Sequence, residues 1–338
     1  MIFTKETRLI YKRLNNKENN FFINKRILLL GSDGFIGKAF IKYFSFLIYN
    51  GIKLKLDCVD NNISSKKQSI KFSDHIQYYH QDIMNYKITK KYDVIIFLAG
   101  IASPTIYKKH PLEALEVSYN GAKKYLEYSK KSKSQFIYFS SSEIYGNPDK
   151  LNLPTSEDYY GYVNSFGPRS CYDEGKRVGE TLCYIYKDYF KTNIKIIRPF
   201  NVFGPEMSPS DDRVIPKFLR KIKKQQPLTI YSKGDQTRSY CYITDAMVGF
   251  IKVITFGKMG NIYNVGNDKE EISVNQLATK MKKVFGKKVV IKKIKYPNIY
   301  PGDEPMRRCP NLKKIRKDTN FKPVENLENS LRYLKNHR

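Results

Sequence analysis

The stretch RILLLGSDGFIGKAFIKYFSFLIYNG, residues 26–51, runs from apolar residues through glycines into apolar positions at helical spacing, and ends at Gly51. It predicts a strand, a tight turn and an amphipathic helix. Gly31, Gly34 and Gly37 stand where strand gives way to helix, at G-x-x-G-x-x-G spacing. There the backbone can approach a pyrophosphate, and the helix-opening amides, with Phe35 and Ile36, can complement its charge. A second apolar run, residues 54–59, closes on Asp60. An acidic residue at that point can accept hydrogen bonds from both ribose hydroxyls and repels a 2′-phosphate, so the expected cofactor is NAD. Asp82, after an expected third strand, is a candidate adenine contact; Ile83, Leu98 and Ala99 complete the expected cofactor lining.

Apolar runs at residues 92–99, 135–139 and 193–197 alternate with helix-like stretches. This predicts a Rossmann-type, doubly wound parallel α/β sheet. Residues 1–22 are a basic N-terminal extension without a sustained period, either a short helix or a loose arm. Residues 23–198 form the expected NAD-binding domain, whose core also receives later segments. Residues 199–338 break into loops and should supply mainly a smaller C-terminal α/β lobe that binds substrate across a cleft.

Composition bounds the class. The 338 residues carry 61 Lys+Arg against 32 Asp+Glu, a formal charge of +29, with 41% hydrophobic and 28% charged residues. Such usage excludes disordered, collagen-like and disulfide-scaffold classes. The basic runs at residues 217–224, 282–295 and 313–317 read as solvated helix faces and strand edges. Lys, Ile, Asn and Tyr abound along the whole chain, as codon bias in an A/T-rich genome would give. No zinc-finger, RNA-recognition or basic-zipper signature accompanies the charge, so nucleic acid is not the expected partner. Cys58, Cys171, Cys183, Cys241 and Cys309 are scattered without C-x-x-C spacing, which argues against a disulfide framework and against a metal site. No run reaches the ~18 apolar residues needed to span a bilayer, and the start lacks a signal-peptide core. The expected location is the cytoplasm, with no membrane partner.

Tyr172 and Lys176 stand four apart in SCYDEGKRVGETL, a helical stretch, so both side chains leave one face. A phenol with a pKa of roughly 10 is a weak base near neutrality, but an adjacent ammonium and the positive nicotinamide favour the phenolate. Upstream, the run at 135–139 leads into Ser140, Ser141, Ser142 and Glu143, at the sheet edge where such folds hold their ligands. Serine hydroxyls there can hold a substrate hydroxyl while Tyr172 takes its proton.

Together with the glycine turn, SSSEIYG (140–146), YDEGK (172–176) and RPFNVFGP (198–205) resemble the extended short-chain dehydrogenase/reductases that act as nucleotide-sugar epimerases and dehydratases. Within that superfamily SEDYYGYVNSFGPRSCYDEGKRVGETL (156–182) is similar to the UDP-glucuronate decarboxylases, or UDP-xylose synthases. ASP (102–104), DDRV (211–214), PLTIY (227–231) and GDQTRSYCYITD (234–245) extend the match.

The resemblance implies retained NAD and a 4-keto sugar intermediate. Tyr172 would be the base, and Ser141, Ser142 and the tyrosine hydroxyl would steady an enolate. Glu143, or a water it orients, would deliver a proton at C5, and Arg308 would hold the sugar carboxylate. Asn201, Arg213, Tyr231 and Arg238 would surround the UDP moiety, and pairing of the helix starting near Leu112 with the one carrying Tyr172 would make a homodimer. The chain departs from the family at Glu206, where a cation is usual, and at Asn311, where an aspartate is usual. A 4,6-dehydratase or a 4-epimerase remains the alternative, because Glu143 serves dehydration as well. A noncatalytic Rossmann-fold protein binding RNA or another anion is the remote one.

Overall fold

The computed structural model describes residues 3–63, 74–286, 288–296 and 305–336. Strands β1 Arg26–Leu30, β2 Lys55–Asp60, β3 Ile76–His80, β4 Val94–Phe97, β5 Gln135–Phe139 and β6 Ile194–Pro199 are joined by Ile262–Val265 in a seven-stranded parallel sheet. The order is Ile262–Val265, β6, β5, β4, β1, β2, β3. The central strands β1, β4 and β5 are apolar almost throughout because helices cover both faces. Ile27 and Leu29 enter one hydrophobic cluster and Leu28 and Leu30 the other, the two-residue alternation of a strand.

The helices are α1 Lys5–Arg13, α2 Asn16–Asn20, α3 Phe35–Tyr49, α4 Pro104–Tyr107, α5 Pro111–Glu116, α6 Ala122–Ser132, α7 Ser170–Phe190, α8 Val214–Lys223 and α9 Ile243–Phe256, with two more towards the C-terminus. A further helix, Val274–Phe285, precedes those two. Phe40 and Phe44 of α3 and Phe250 of α9 pack on one side of the sheet, Tyr125 and Leu126 of α6 and Tyr186 of α7 on the other. β1 pairs with β2 on one flank and with β4 on the other, so the chain reverses direction across the sheet at the carboxyl end of β1. Ligands of doubly wound folds bind at that switch point.

Residues 1–22 contain helices, settling the choice left open by their sequence. Thr4 caps α1, and Asn15 with Glu18 forms a capping box on α2. These helices are fastened to the core: Arg13 meets Asp245 at 2.6 Å, Glu18 meets Lys252 at 2.7 Å, and the Tyr43 hydroxyl donates to Asn19 at 2.8 Å. In the later part of the chain, Ile262–Val265 returns to the main sheet beside β6, with Ile262 opposite Ile196. Thr237–Ser239 lies between Glu271–Ser273 and Arg307–Arg308 in a small sheet, which sets Arg308 directly opposite Arg238. Among the described residues no helix is long and apolar enough to cross a membrane.

Candidate active site

The dinucleotide end is built almost wholly from backbone. Gly31 has φ +81°, and a Cβ there would fall 2.7 Å from the Ala99 amide nitrogen and 2.9 Å from the Leu98 carbonyl carbon; one on Gly37 would fall 2.4 Å from the Ser32 oxygen. Neither position admits a side chain without a shift of backbone. Gly34 is the N-cap of α3 and offers no side-chain hydrogen bond to the first turn, where Phe35 and Ile36 begin the helix. A Cβ on Gly34 would touch only the Gly31 oxygen, at 3.4 Å. This open, electropositive helix end at the switch point fits a pyrophosphate, and hence NAD.

Asp60, at the carboxyl end of β2, accepts from the Asp33 amide at 2.9 Å and the Asn62 amide at 2.7 Å, so its carboxylate is fixed beside the turn. Asp82 accepts from the Asn61 side chain at 2.8 Å and the Met84 amide at 2.7 Å, while Ile83 is buried. The Leu98 amide is bound to the Leu30 carbonyl at 2.9 Å, which holds Leu98 and Ala99 against the glycine turn.

Helix α7 places Tyr172 and Lys176 at the carboxyl end of β5. The Lys176 Nζ donates to the Phe139 carbonyl at 2.8 Å and stands 5.9 Å from the centroid of the Tyr172 ring. Burial lowers its pKa to about 8. Burial also pushes the Tyr172 phenol up to about 12, against a hydrogen bond with Ser141 that favours the phenolate. The Tyr107 ring of α4 stacks on Tyr172, with centroids 5.8 Å apart and planes 8° from parallel, which limits how the phenol can turn. Ser141 caps the 3₁₀ turn Ser142–Tyr145 by accepting from the Glu143 amide at 3.2 Å, and Ser142 is buried at the start of that turn.

The same turn carries Glu143 into a cluster of guanidiniums. Both terminal nitrogens of Arg308 donate to its carboxylate, one to each oxygen, and Arg169 donates to one of those oxygens as well. Arg169 also holds Asp173 at 3.2 Å through its Nε. Burial pushes Glu143 up, but the charges of Arg308, Arg169 and Arg238 outweigh it and leave the carboxyl below its ordinary range. Asp173 goes the other way, raised by burial and by the neighbouring Glu143 charge. Arg308 is 8% exposed and its Nε has no partner, so its donors are not all satisfied by protein. Three guanidiniums thus face two carboxyls in a buried space beside Tyr172, a site suited to another carboxylate.

The residues expected around UDP come from four segments of the later part of the chain. Arg238 is buried beside Arg308, its guanidinium donating to the Thr237 carbonyl at 2.8 Å, and it acts on Glu143. Arg213, at the N-cap of α8, is gripped by Asp211 at 2.6 Å and is close enough to Tyr172 to favour its phenolate. Asn201 has φ +40° and its side chain donates to the Ser239 carbonyl at 3.0 Å, a bond that joins two loops. The Tyr231 ring stacks on Tyr296 with centroids 5.6 Å apart, and Lys217 donates to its hydroxyl at 2.6 Å. Glu206, the departure from the family, is paired with Lys42 of α3 at 2.7 Å. Its charge is therefore paired with a cation of a neighbouring helix.

Sequence reasoning did not single out Arg169, Asp173, Tyr107 or Lys42. Arg169 and Asp173 sit on the Tyr172 helix turn, at i−3 and i+1, and only their helical register beside Tyr172 could have drawn attention to them. For Tyr107 and Lys42 the sequence carries no such signal.

Residues 27–266 match the NAD dependent epimerase/dehydratase family. UDP-glucuronic acid decarboxylase 1 of Xenopus tropicalis is 32% identical over 91% of this chain and 70% of its own length. UDP-glucuronic acid decarboxylase 3 of Arabidopsis thaliana is 32% identical over 91% of this chain and 87% of its own. Among solved structures, the UDP-glucuronic acid 4-epimerase of Bacillus cereus, in complex with UDP-glucuronic acid and NAD, superposes with TM-score 0.79 at 26% identity, covering 92% of this chain and 99% of that one. The epimerase Mth375 of Methanothermobacter thermautotrophicus shares the fold, with TM-score 0.83 at 21% identity over 99% of this chain and 96% of that one. The chain belongs to the NAD dependent epimerase/dehydratase family.

Proposed function

We propose that this protein decarboxylates UDP-glucuronate to UDP-xylose through a 4-keto intermediate. The observation that carries the reading is the buried Arg308 fork, already holding the carboxylate of Glu143, whose charge acts on Tyr172. NAD, held at the glycine turn and Asp60, would supply the acceptor and donor of the hydride at sugar C4. Tyr172, with its phenolate favoured by Ser141 and Arg213 and with Lys176 5.9 Å from its ring centroid, takes the proton of the 4-hydroxyl. Arg308 orients the C6 carboxylate of the resulting β-keto acid. When the C5–C6 bond breaks, its electron pair passes into the C4 ketone and carbon dioxide leaves. Ser141, Ser142 and the Tyr172 hydroxyl then donate to the enolate oxygen. A proton reaches C5 through Glu143.

The 4-epimerase of Bacillus cereus was crystallised with the same carboxylated sugar, so an arginine fork alone does not separate the two reactions. Incubation of the purified protein with UDP-glucuronate and NAD, followed by NMR and mass analysis, does. Loss of carbon dioxide is expected; an isomer of unchanged mass would assign epimerisation instead.

The functional unit is a homodimer formed by α5, the turn after it, and α7. Leu112, Leu115, Tyr119, Tyr184 and Ile185 are exposed there, and α5 and α7 pack against each other to present them together. Light scattering should give twice the 39.6 kDa of one chain.

A further inference from the structure

Glu143 occupies the end-on face of the Arg308 guanidinium, with one carboxylate oxygen on each terminal nitrogen, while the Nε of its other edge is buried and without a partner. A sugar carboxylate cannot take the same pair of N–H groups while Glu143 keeps them. Arg308 is buried, so neither carboxylate can exchange freely with water there. Taking one partner from a buried ion pair strands the other charge and is strongly unfavourable unless a second counter-charge is in place. Arg169 is that counter-charge: it contacts one Glu143 oxygen, and its own Nε is anchored to Asp173 at 3.2 Å. It sits at the start of α7, three residues before Tyr172, so its position is tied to the catalytic helix.

We propose that Glu143 and the sugar carboxylate compete for the Arg308 fork, and that Arg169 is the positioning residue that retains Glu143 in the site once the substrate has taken Arg308. The exchange sets the order of events. The carboxylate that recognises Arg308 is the one that leaves as carbon dioxide, and its arrival frees a Glu143 oxygen from Arg308 to take up a solvent proton and pass it to C5. A substrate without a carboxylate leaves Glu143 in the fork and gains nothing from Arg308. Discrimination against neutral sugars is thereby built into an internal competition.

The inference rests on the UDP-glucuronate reading, and its test separates the two. All measurements use the full chain with NAD and carry Tyr172→Phe to stop turnover; UDP-glucuronate, UDP-glucose and UDP are titrated by calorimetry. Glu143→Gln should tighten UDP-glucuronate by about tenfold, with UDP-glucose unchanged, because a neutral amide competes poorly for the fork. Arg169→Gln should weaken UDP-glucuronate by a similar factor, again sparing UDP-glucose, and Arg169→Lys should recover part of the loss. In the Glu143→Gln, Arg169→Gln double variant the Arg169 effect should vanish, since no displaced charge needs holding.

A Glu143→Gln variant that binds UDP-glucuronate no more tightly overturns the exchange. So does an Arg169→Gln effect that is equal on both sugars or persists in the double variant. Bound UDP with no UDP-glucuronate binding in any variant overturns the substrate reading and the exchange together. Thermal melting and UDP affinity identify a variant that has failed to fold, and Arg169→Lys then carries the test.

Discussion

The two ends of the site are made of different materials. At the dinucleotide end, Gly31, Gly34, Gly37 and Asp60 lie within one strand-turn-helix-strand unit, and their geometry is fixed by amides and carbonyls. At the carboxylate end, Glu143, Arg169, Asp173, Arg238 and Arg308 come from four separate segments and are held mostly by one another's charge. The first admits no side chain at Gly31 or Gly37 without a shift of backbone. The second is a balance of buried charges, in which removing one member reassigns the partners of the rest. Such a site can exchange an internal carboxylate for an external one, which a backbone cradle cannot do.

The comparison can be broken most severely at its hinge, Tyr172. Tyr172→Phe should lower turnover by about 10²–10⁴-fold, with NAD affinity kept, as read by steady-state kinetics and cofactor binding. Arg308→Met should lower kcat/KM for UDP-glucuronate by about 30–1,000-fold, from stranding Glu143 and losing the fork, while NAD binding is unaltered.

Gly37→Ala, whose Cβ would fall 2.4 Å from the Ser32 oxygen, should destabilise the fold by about 1–3 kcal/mol in denaturant unfolding and weaken NAD. Gly34→Ala, with only a 3.4 Å contact, should leave stability nearly unchanged. The pH dependence sharpens the contrast further. Lys176 is lowered to about 8, so its ammonium is lost above that pH and the support for the Tyr172 phenolate goes with it. Turnover should fall on the alkaline side with a midpoint near 8, and Lys176→Met should remove that limb. For stability the sign is opposite. The unfolded chain binds this proton up to its ordinary pKa, so this lysine's contribution to folding stability rises with pH from about 8 upward. The smallest effect is expected at Glu206→Gln, which breaks a half-exposed pair with Lys42: at most about 1 kcal/mol of stability, and no change in UDP-glucuronate kinetics.

How far the sequence could be read follows the same division. The glycine turn, Asp60 and the Tyr172–Lys176 spacing are local patterns whose geometry comes with the strand or helix that carries them, and they lie together at the carboxyl edge of the sheet. The sheet's last strand, Ile262–Val265, was not among the runs read as strands, because four residues beside β6 carry little periodic signal. Arg308 was found by family resemblance alone. Its place opposite Arg238 depends on the pairing of two very short strands, which no period announces. Arg169 and Asp173 were missed because charged residues on a helix turn ordinarily face water; here Glu143, from another turn, meets them inside the protein. Glu206 illustrates the converse, since its partner Lys42 lies on a helix far back in the chain.

The central claim is that the carboxylate end selects a group and the reaction then removes it. The most direct measurement supplies UDP-glucuronate labelled with ¹³C at C6, with NAD, in D₂O, and follows carbon and hydrogen by NMR. The account predicts labelled carbon dioxide in step with UDP-xylose, one solvent deuteron at C5 of each product molecule, and no accumulation of NADH. Label retained at C6 of an altered nucleotide sugar would contradict it.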